Sequence, residues 1–400
     1  LQAQTISHSL PLTYSGKSNV TIENKIFTSA TNGVNISLTN CSGFVIRNCV
    51  FKNTPAAISI QLNSSNDVQI YGCSFDSVRT GMYATNCTGN LLIQCNAFKD
   101  IIGPKPRGQM VQFNKCSGPV NRINKNILEQ TNGVGNPEDF VNLYCSYGTA
   151  ADPIQVSENK TRGGEPSPSG GGFMLGDNGS HDIVSNNNIL VNPGQYGMAA
   201  QSGYNITMNN NTIFATSQPF TNVGLYVGLQ SEINAGFDCV GNTISIKNNK
   251  VNWKNKNNAQ NDLYICPCCP GVINTGNTLR AAISASIVST VLKLDNTCNG
   301  LNLNCTVLGS ACPSLPTEIE EEQIVESDKI KVTVQENLLL GFSSEITNLQ
   351  LADMSGNVLN KIENSPEIKL NLNGLAQGLY ILVSCNKKEL NFINLSTNYQ

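Results

Sequence analysis

The chain has 400 residues, of which 13% are charged, about half the share usual in a soluble domain, and its formal net charge is -3. That balance excludes nucleic acid as a partner, because binding phosphates takes a basic face. No apolar run approaches the ~18 residues of a membrane span. The length exceeds one ordinary core, so either two domains or one elongated repeat is expected.

In chain order, "LQAQT" reads as the end left by signal-peptide cleavage, which makes residues 1–14 an N-terminal tail and the chain an exported one. From residue 15 to 275 a repeat of 23 residues or slightly more runs through "FVIRNCVF", "VQIYGCSF", "LLIQCNAF", "IVSNNNIL" and "ITMNNNTI". One of its columns holds Cys49, Cys73, Asn96, Asn126, Asn159, Asn188, Asn211 and Asn249. Each segment alternates apolar and polar residues, as a half-buried strand does, and a second alternating strand follows each. A repeat this short cannot bury its own apolar face, so successive copies must stack into a coil of parallel sheets. One Asn per rung at a corner passes side-chain hydrogen bonds up the column and tolerates a left-handed backbone there. Cys49 and Cys73, in the same column, either stack or bridge.

These rungs resemble the right-handed parallel β-helix of the pectin-lyase-like superfamily. The resemblance implies an all-β fold and its handedness. It leaves function open among polysaccharide lyases, glycoside hydrolases and adhesins that cleave nothing.

Two outward columns of the second strand series point to a polysaccharide partner. They read Ser37, Ser59, Tyr83, Gln112, Asn142, Met174, Ala199 and Tyr226, then Thr39, Gln61, Thr85, Asn114, Tyr144, Gly176, Gln201 and Gly228. Planar amides and Tyr rings suit sugars, so Tyr83, Gln112, Asn142, Tyr144, Gln201 and Tyr226 are the candidate substrate-binding residues. Three successive rungs also lengthen one turn. From the Asn column to the next inward strand residue the spacing is 9 residues up to Ile58 and to Met82, but 15, 15 and 14 up to Val111, Val141 and Phe173. Long loops on a rigid scaffold are where function concentrates.

Those loops carry Arg107, Asp139, Arg162 and Glu165, the candidate catalytic residues of a polysaccharide lyase or a glycoside hydrolase. A lyase needs a base and a cation to neutralise a carboxylate; a hydrolase needs two carboxyls about 5–9 Å apart. Asp139 and Glu165 sit in the same turn of neighbouring rungs and suit that pairing. Asp177 is set aside, because it falls six residues further along the register than Asp139, roughly 20 Å at ~3.3 Å per residue. His181 reads as a surface turn residue. Calcium has a weak candidate in Glu138, Asp139 and loop carbonyls, without a D-x-D cluster, and no other cofactor is indicated.

Fifteen Cys include six between 266 and 312, in "CPCC" and at Cys298, Cys305 and Cys312. Their crowding and the lack of a nearby His favour disulfides over zinc, with at least one thiol left free. Residues 276–312 read as a Cys-rich cap and 313–327 as an acidic linker. Beyond it, Leu351, Asp353, Ser355, Gly356 and Val358, then Ile368, Leu370, Leu375, Gly378, Leu379 and Tyr380, form a pattern similar to the C-terminal sorting domain of type IX secretion cargo in Bacteroidetes. The resemblance implies a small β-sandwich over residues 328–400 whose partner is that secretion machinery. "MSGN" reads as its hairpin turn, and "NFINLSTNYQ" departs from the usual basic and apolar finish.

Overall fold

The computed structural model describes residues 6–167, 169–229 and 239–313, and the backbone of seven strands between residues 331 and 395. Residues 4–315 form one compact unit and 316–400, with residues 1–3, another.

The first unit is a parallel β-coil. Its first face is a ten-stranded parallel sheet running from Thr21–Glu23 to Ile273–Thr275. Strand alternation sends one residue per rung inward in strict register, and Ile46, Ile70, Ile93, Ile123, Val156, Ser185, Met208 and Ile246 form a single buried column. On another wall Phe27, Phe51, Phe75 and Phe98 stack with ring centroids 5.0, 4.8 and 4.4 Å apart. Those separations match the ~4.8 Å between paired strands, so the stack follows from the rung spacing.

The Asn column is a continuous hydrogen-bonded ladder. Each Oδ1 accepts both the backbone N–H and the side-chain N–H of the Asn one rung earlier, at 3.1 and 3.0 Å for Asn96 on Asn126 and at 3.0 and 3.0 Å for Asn188 on Asn211. The ladder runs on through Asn249 to Asn277, and each Nδ2 also donates to a carbonyl of an earlier rung, such as Asn188 to Val156. One detail differs from expectation: the left-handed backbone belongs to the residue before each member of the column. Asn48, Cys95, Lys125, Glu158, Asn187, Asn210 and Asn248 have φ between 51° and 59°. Turning the chain at that residue leaves the following one free to point inward, so one corner needs two consecutive specialised residues. Cys49 and Cys73 start the column as buried free thiols.

The second and third faces join in one nineteen-stranded sheet, because Val50–Asn63 and Ser74–Thr85 run unbroken through both. In later rungs a loop separates the two faces, and the lengthened turns occupy that point. The first outward column runs Ser37, Gln61, Tyr83, Gln112, Asn142, Met174, Ala199, Tyr226 and Tyr264. Ser59 therefore drops out and Gln61 moves into this column, because a shift between Thr54 and Ile58 makes Ile60, not Ile58, the neighbour of Met82. In the second column a bulge sets Asp177, not Gly176, beside Tyr144. The coil also exceeds its expected bounds of 15 and 275, since Ser7–His8 and Leu12–Ser15 pair with its first rung and Thr278–Leu279 with its last.

The Cys-rich segment is not a cap but a strap. From Ala281, whose N–H bonds the Val251 carbonyl, it runs back along the outside of the third face to Asn304, whose N–H bonds Asn48 on an early rung. Val288, Leu292, Leu294 and Leu308 cover the outward Ala97, Ile127, Val191 and Phe214. Disulfides join Cys95–Cys298, Cys239–Cys269, Cys266–Cys268 and Cys305–Cys312.

In the second unit the seven strands form antiparallel sheets of three and four strands. Asn348–Ala352 pairs with Val358–Glu363 on either side of "MSGN". That turn, Asp353, Leu375 and linker residues 314–327 lie outside the described residues.

Candidate active-site cleft

The three lengthened turns build the wall of a cleft of about 390 Å³ beside the outward columns. Lys105, Pro106 and Arg107 come from the first loop, Glu138 and Asp139 from the second, and Ser169 from the third; Gln112, Asn142, Tyr144, Asp177 and Gln201 come from the face. The loops are tied to one another. The Glu138 N–H bonds the Gly108 carbonyl at 2.9 Å, Glu138 accepts from the Ser167 and Ser169 hydroxyls, and Lys105 Nζ donates to Ser169 Oγ at 3.1 Å.

At the floor, Asn142 Nδ2 donates to Asp139 Oδ2 at 2.8 Å and to Asp177 Oδ2 at 2.9 Å. The two carboxyl oxygens are therefore no farther apart than these two bonds laid end to end. The register arithmetic that set Asp177 aside fails for two reasons. The bulge moves Asp177 to the cleft side of the strand, and Asp139, just ahead of Val141–Tyr144, turns back over Asn142. Gln112 Nε2 holds the Asn142 carbonyl oxygen at 3.2 Å, which fixes the amide with its donors toward the acids.

Asp139 is 4% exposed. Its Oδ1 accepts from the Gly171 N–H at 3.2 Å and from the Tyr196 hydroxyl. Burial first, then the adjacent Glu138 carboxylate, pushes its carboxyl up to about 8, against the pull of Tyr196 and Asn142. Asp139 thus keeps its proton at neutral pH. Burial also raises the Tyr196 phenol well above its ordinary range, with Asp139 as the next cause.

Of the other candidates, Arg107 lies over the Tyr83 ring, 3.9 Å from its centroid, and Tyr83 Oη accepts from Asn114. Tyr226 is three rungs beyond Asn142 in the same column, stacked on Tyr264 at 5.8 Å. Two residues fall elsewhere. Glu165 is buried and accepts from the Gly133 N–H at 2.7 Å; Arg162 pairs with Glu129 and donates to the Thr290 carbonyl at 2.6 Å, holding the strap. Neither lines the cleft, so Asp139 and Glu165 do not meet there as the sequence suggested. His181 is sandwiched between Tyr147 and Tyr204, with Nδ1 2.7 Å from Asp182. Among the described residues no group of three or more His, Cys, Asp or Glu is placed to hold a metal ion, and no helix is long and apolar enough to cross a membrane. Sequence reasoning missed Asp177 and Tyr196; the extra residue in "GFMLGDN" is the only trace of the bulge.

No curated protein matches the chain. Among solved structures it is similar to PfbA, a surface adhesin of Streptococcus pneumoniae, at 14% identity and a TM-score of 0.40 over 66% of this chain and 62% of that one. The chain thus spans less than two thirds of the adhesin's length. It is also similar to the tailspike protein of E. coli bacteriophage HK620 in complex with pentasaccharide, at 11% identity and a TM-score of 0.30 over 91% of this chain and 67% of that one. The family model described as a right handed beta helix region matches residues 12–136, so the early rungs, up to the second lengthened turn, are a right-handed β-helix.

Proposed function

We propose that the cleft binds a polysaccharide outside the cell and hydrolyses it. The carrying observation is the single Asn142 amide that joins the buried Asp139 to Asp177 in a cleft lined by Tyr and amide side chains. Glycoside hydrolysis needs one carboxylic acid to protonate the leaving oxygen and one carboxylate to act opposite it. Asp139 serves as the acid and Asp177 as the second carboxylate. The shared amide caps the separation of their facing oxygens at the length of its two bonds, which rules out the wider spacing of about 6.5–9.5 Å and leaves the shorter one, at which the second group attacks the sugar and configuration is retained. Gln112, Tyr144 and Gln201 hold the sugar along the face, and Lys105 and Arg107 line the rim. Incubation with a polysaccharide panel should release reducing ends of retained anomeric configuration, followed by NMR, without the ultraviolet absorbance of unsaturated lyase products. A second reading, a non-catalytic surface adhesin, is favoured by the hydrogen bonds that occupy both oxygens of Asp139. Sugar binding with no product would select it.

Residues 328–400 serve as an export signal read by the type IX secretion machinery. The support is the sequence pattern and its separation from the coil as a compact unit. A chain ending at residue 327 should fold and stay within the cell envelope; its normal appearance outside the cell sinks the export reading.

A further inference from the structure

We propose that Tyr196 is a positioning residue for Asp139, fixing which carboxyl oxygen carries the proton. The inference rests on the hydrolase reading above. Tyr196 opens the strand Tyr196–Gln201, two rungs beyond Asn142, and only 8% of it is exposed. Its hydroxyl donates to Asp139 Oδ1, which also accepts the Gly171 N–H. Oδ1 takes two donors and Oδ2 one, the Asn142 N–H, so the proton is left to Oδ2, the oxygen on the Asn142 and Asp177 side. An acid that must protonate a leaving group in the cleft needs its proton there.

The loop residues 170–172 explain how the pairing is kept. A Cβ on Gly171 would meet the Tyr196 ring at 2.9 Å and its carbonyl oxygen at 2.8 Å, and one on Gly172 would meet the Gly197 carbonyl oxygen at 2.0 Å. The glycine run therefore lets the third loop lie flat on Tyr196, with the Gly172 N–H bonded to its carbonyl at 2.8 Å. This accounts for "SGGG" without a ligand. The charged or titratable groups that face Asp139 are Glu138 beside it, Asp177 across Asn142, and Tyr196, while Lys105 and Arg107 occupy the rim.

The test is a ¹³C NMR titration of the Asp139 carboxyl in the full chain, with Asp139→Asn identifying the signal. Tyr196→Phe removes a donor to the charged form, so the midpoint should rise by about one to two pH units, the worth of a hydrogen bond to an ionised group. Placing 3-fluorotyrosine at position 196 keeps the ring and strengthens the donor, so the midpoint should fall. The second variant decides the matter if the first does not fold. A midpoint unmoved by either substitution, or moved the opposite way, overturns the assignment and leaves Tyr196 as packing. No substrate enters this measurement, so failure to cleave any polysaccharide sinks the hydrolase reading and leaves the titration to judge the Tyr196–Asp139 coupling.

Discussion

Asp139→Asn is expected to lower polysaccharide hydrolysis by about 10²–10⁴-fold, the usual cost of losing a general acid. Asn keeps the shape of the side chain and holds no transferable proton. The same variant carries a second signature, in stability. The native carboxyl titrates at about 8, and an unfolded Asp near 3.9. Between those values the folded chain keeps a proton that the unfolded chain releases. The group's contribution is therefore fully present below the ordinary carboxylate range and is lost as pH rises through about 8. Its size is on the order of 5 kcal/mol across the window. Glu138 and Asp177 face the same group and raise it further, while Lys105 and Arg107 stay at the rim of the cleft. Melting temperatures from pH 4 to 9 should decline for the native chain and decline less for Asp139→Asn. Parallel curves for the two proteins would show that Asp139 is ionised throughout and remove the acid from the mechanism.

Replacing both Cys95 and Cys298 by Ser is expected to give the largest loss of stability. Their disulfide closes a loop with a sequence separation of 203 residues, and chain entropy assigns such a crosslink about 5 kcal/mol. For a chain of this size the melting temperature should fall by roughly 10 °C. The crosslink also holds the strap's Val288, Leu292 and Leu294 on the third face, so its loss should open residues 281–304 to protease before the rungs unwind. Equal melting temperatures and unchanged cleavage of the strap would show that the apolar contacts hold it unaided.

How far this was legible depends on what repeats. The inward column recurs from rung to rung and the Asn ladder in each rung from Asn96 on, so period alone located them. Arg107, Gln112, Asp139, Asn142, Tyr144 and Gln201 were readable as neighbours because rung register carries over from strand to strand, and all six line the cleft. What breaks the register was not readable. The bulge at Asp177 adds one residue in one rung, and strict counting then separated two carboxyls that share an amide. The burial of Asp139 was not readable either, because nothing local marks a loop that folds back under its neighbours. The strap is hidden for a third reason. Val288, Leu292 and Leu294 follow no period, since the face they cover, not their own backbone, sets their spacing.

The Asn ladder also bears on how the molecule ages. Its amides all point the same way, each handing its N–H groups to the next rung, so every interior member is both donor and acceptor. Deamidation of one of them would leave an acid where two donors are needed and introduce a charge where Asn188 and its neighbours are 0% exposed. Folding shields these side chains from that wear, because ring closure onto the next backbone nitrogen needs a mobile corner. The Asn-Gly pairs, at Asn32, Asn132, Asn178, Asn299 and Asn373, include no member of the ladder. Hydrolytic damage in an old molecule is thus directed away from the ladder, and it bears on the cleft at Asn178, whose amide holds Tyr144 at the rim.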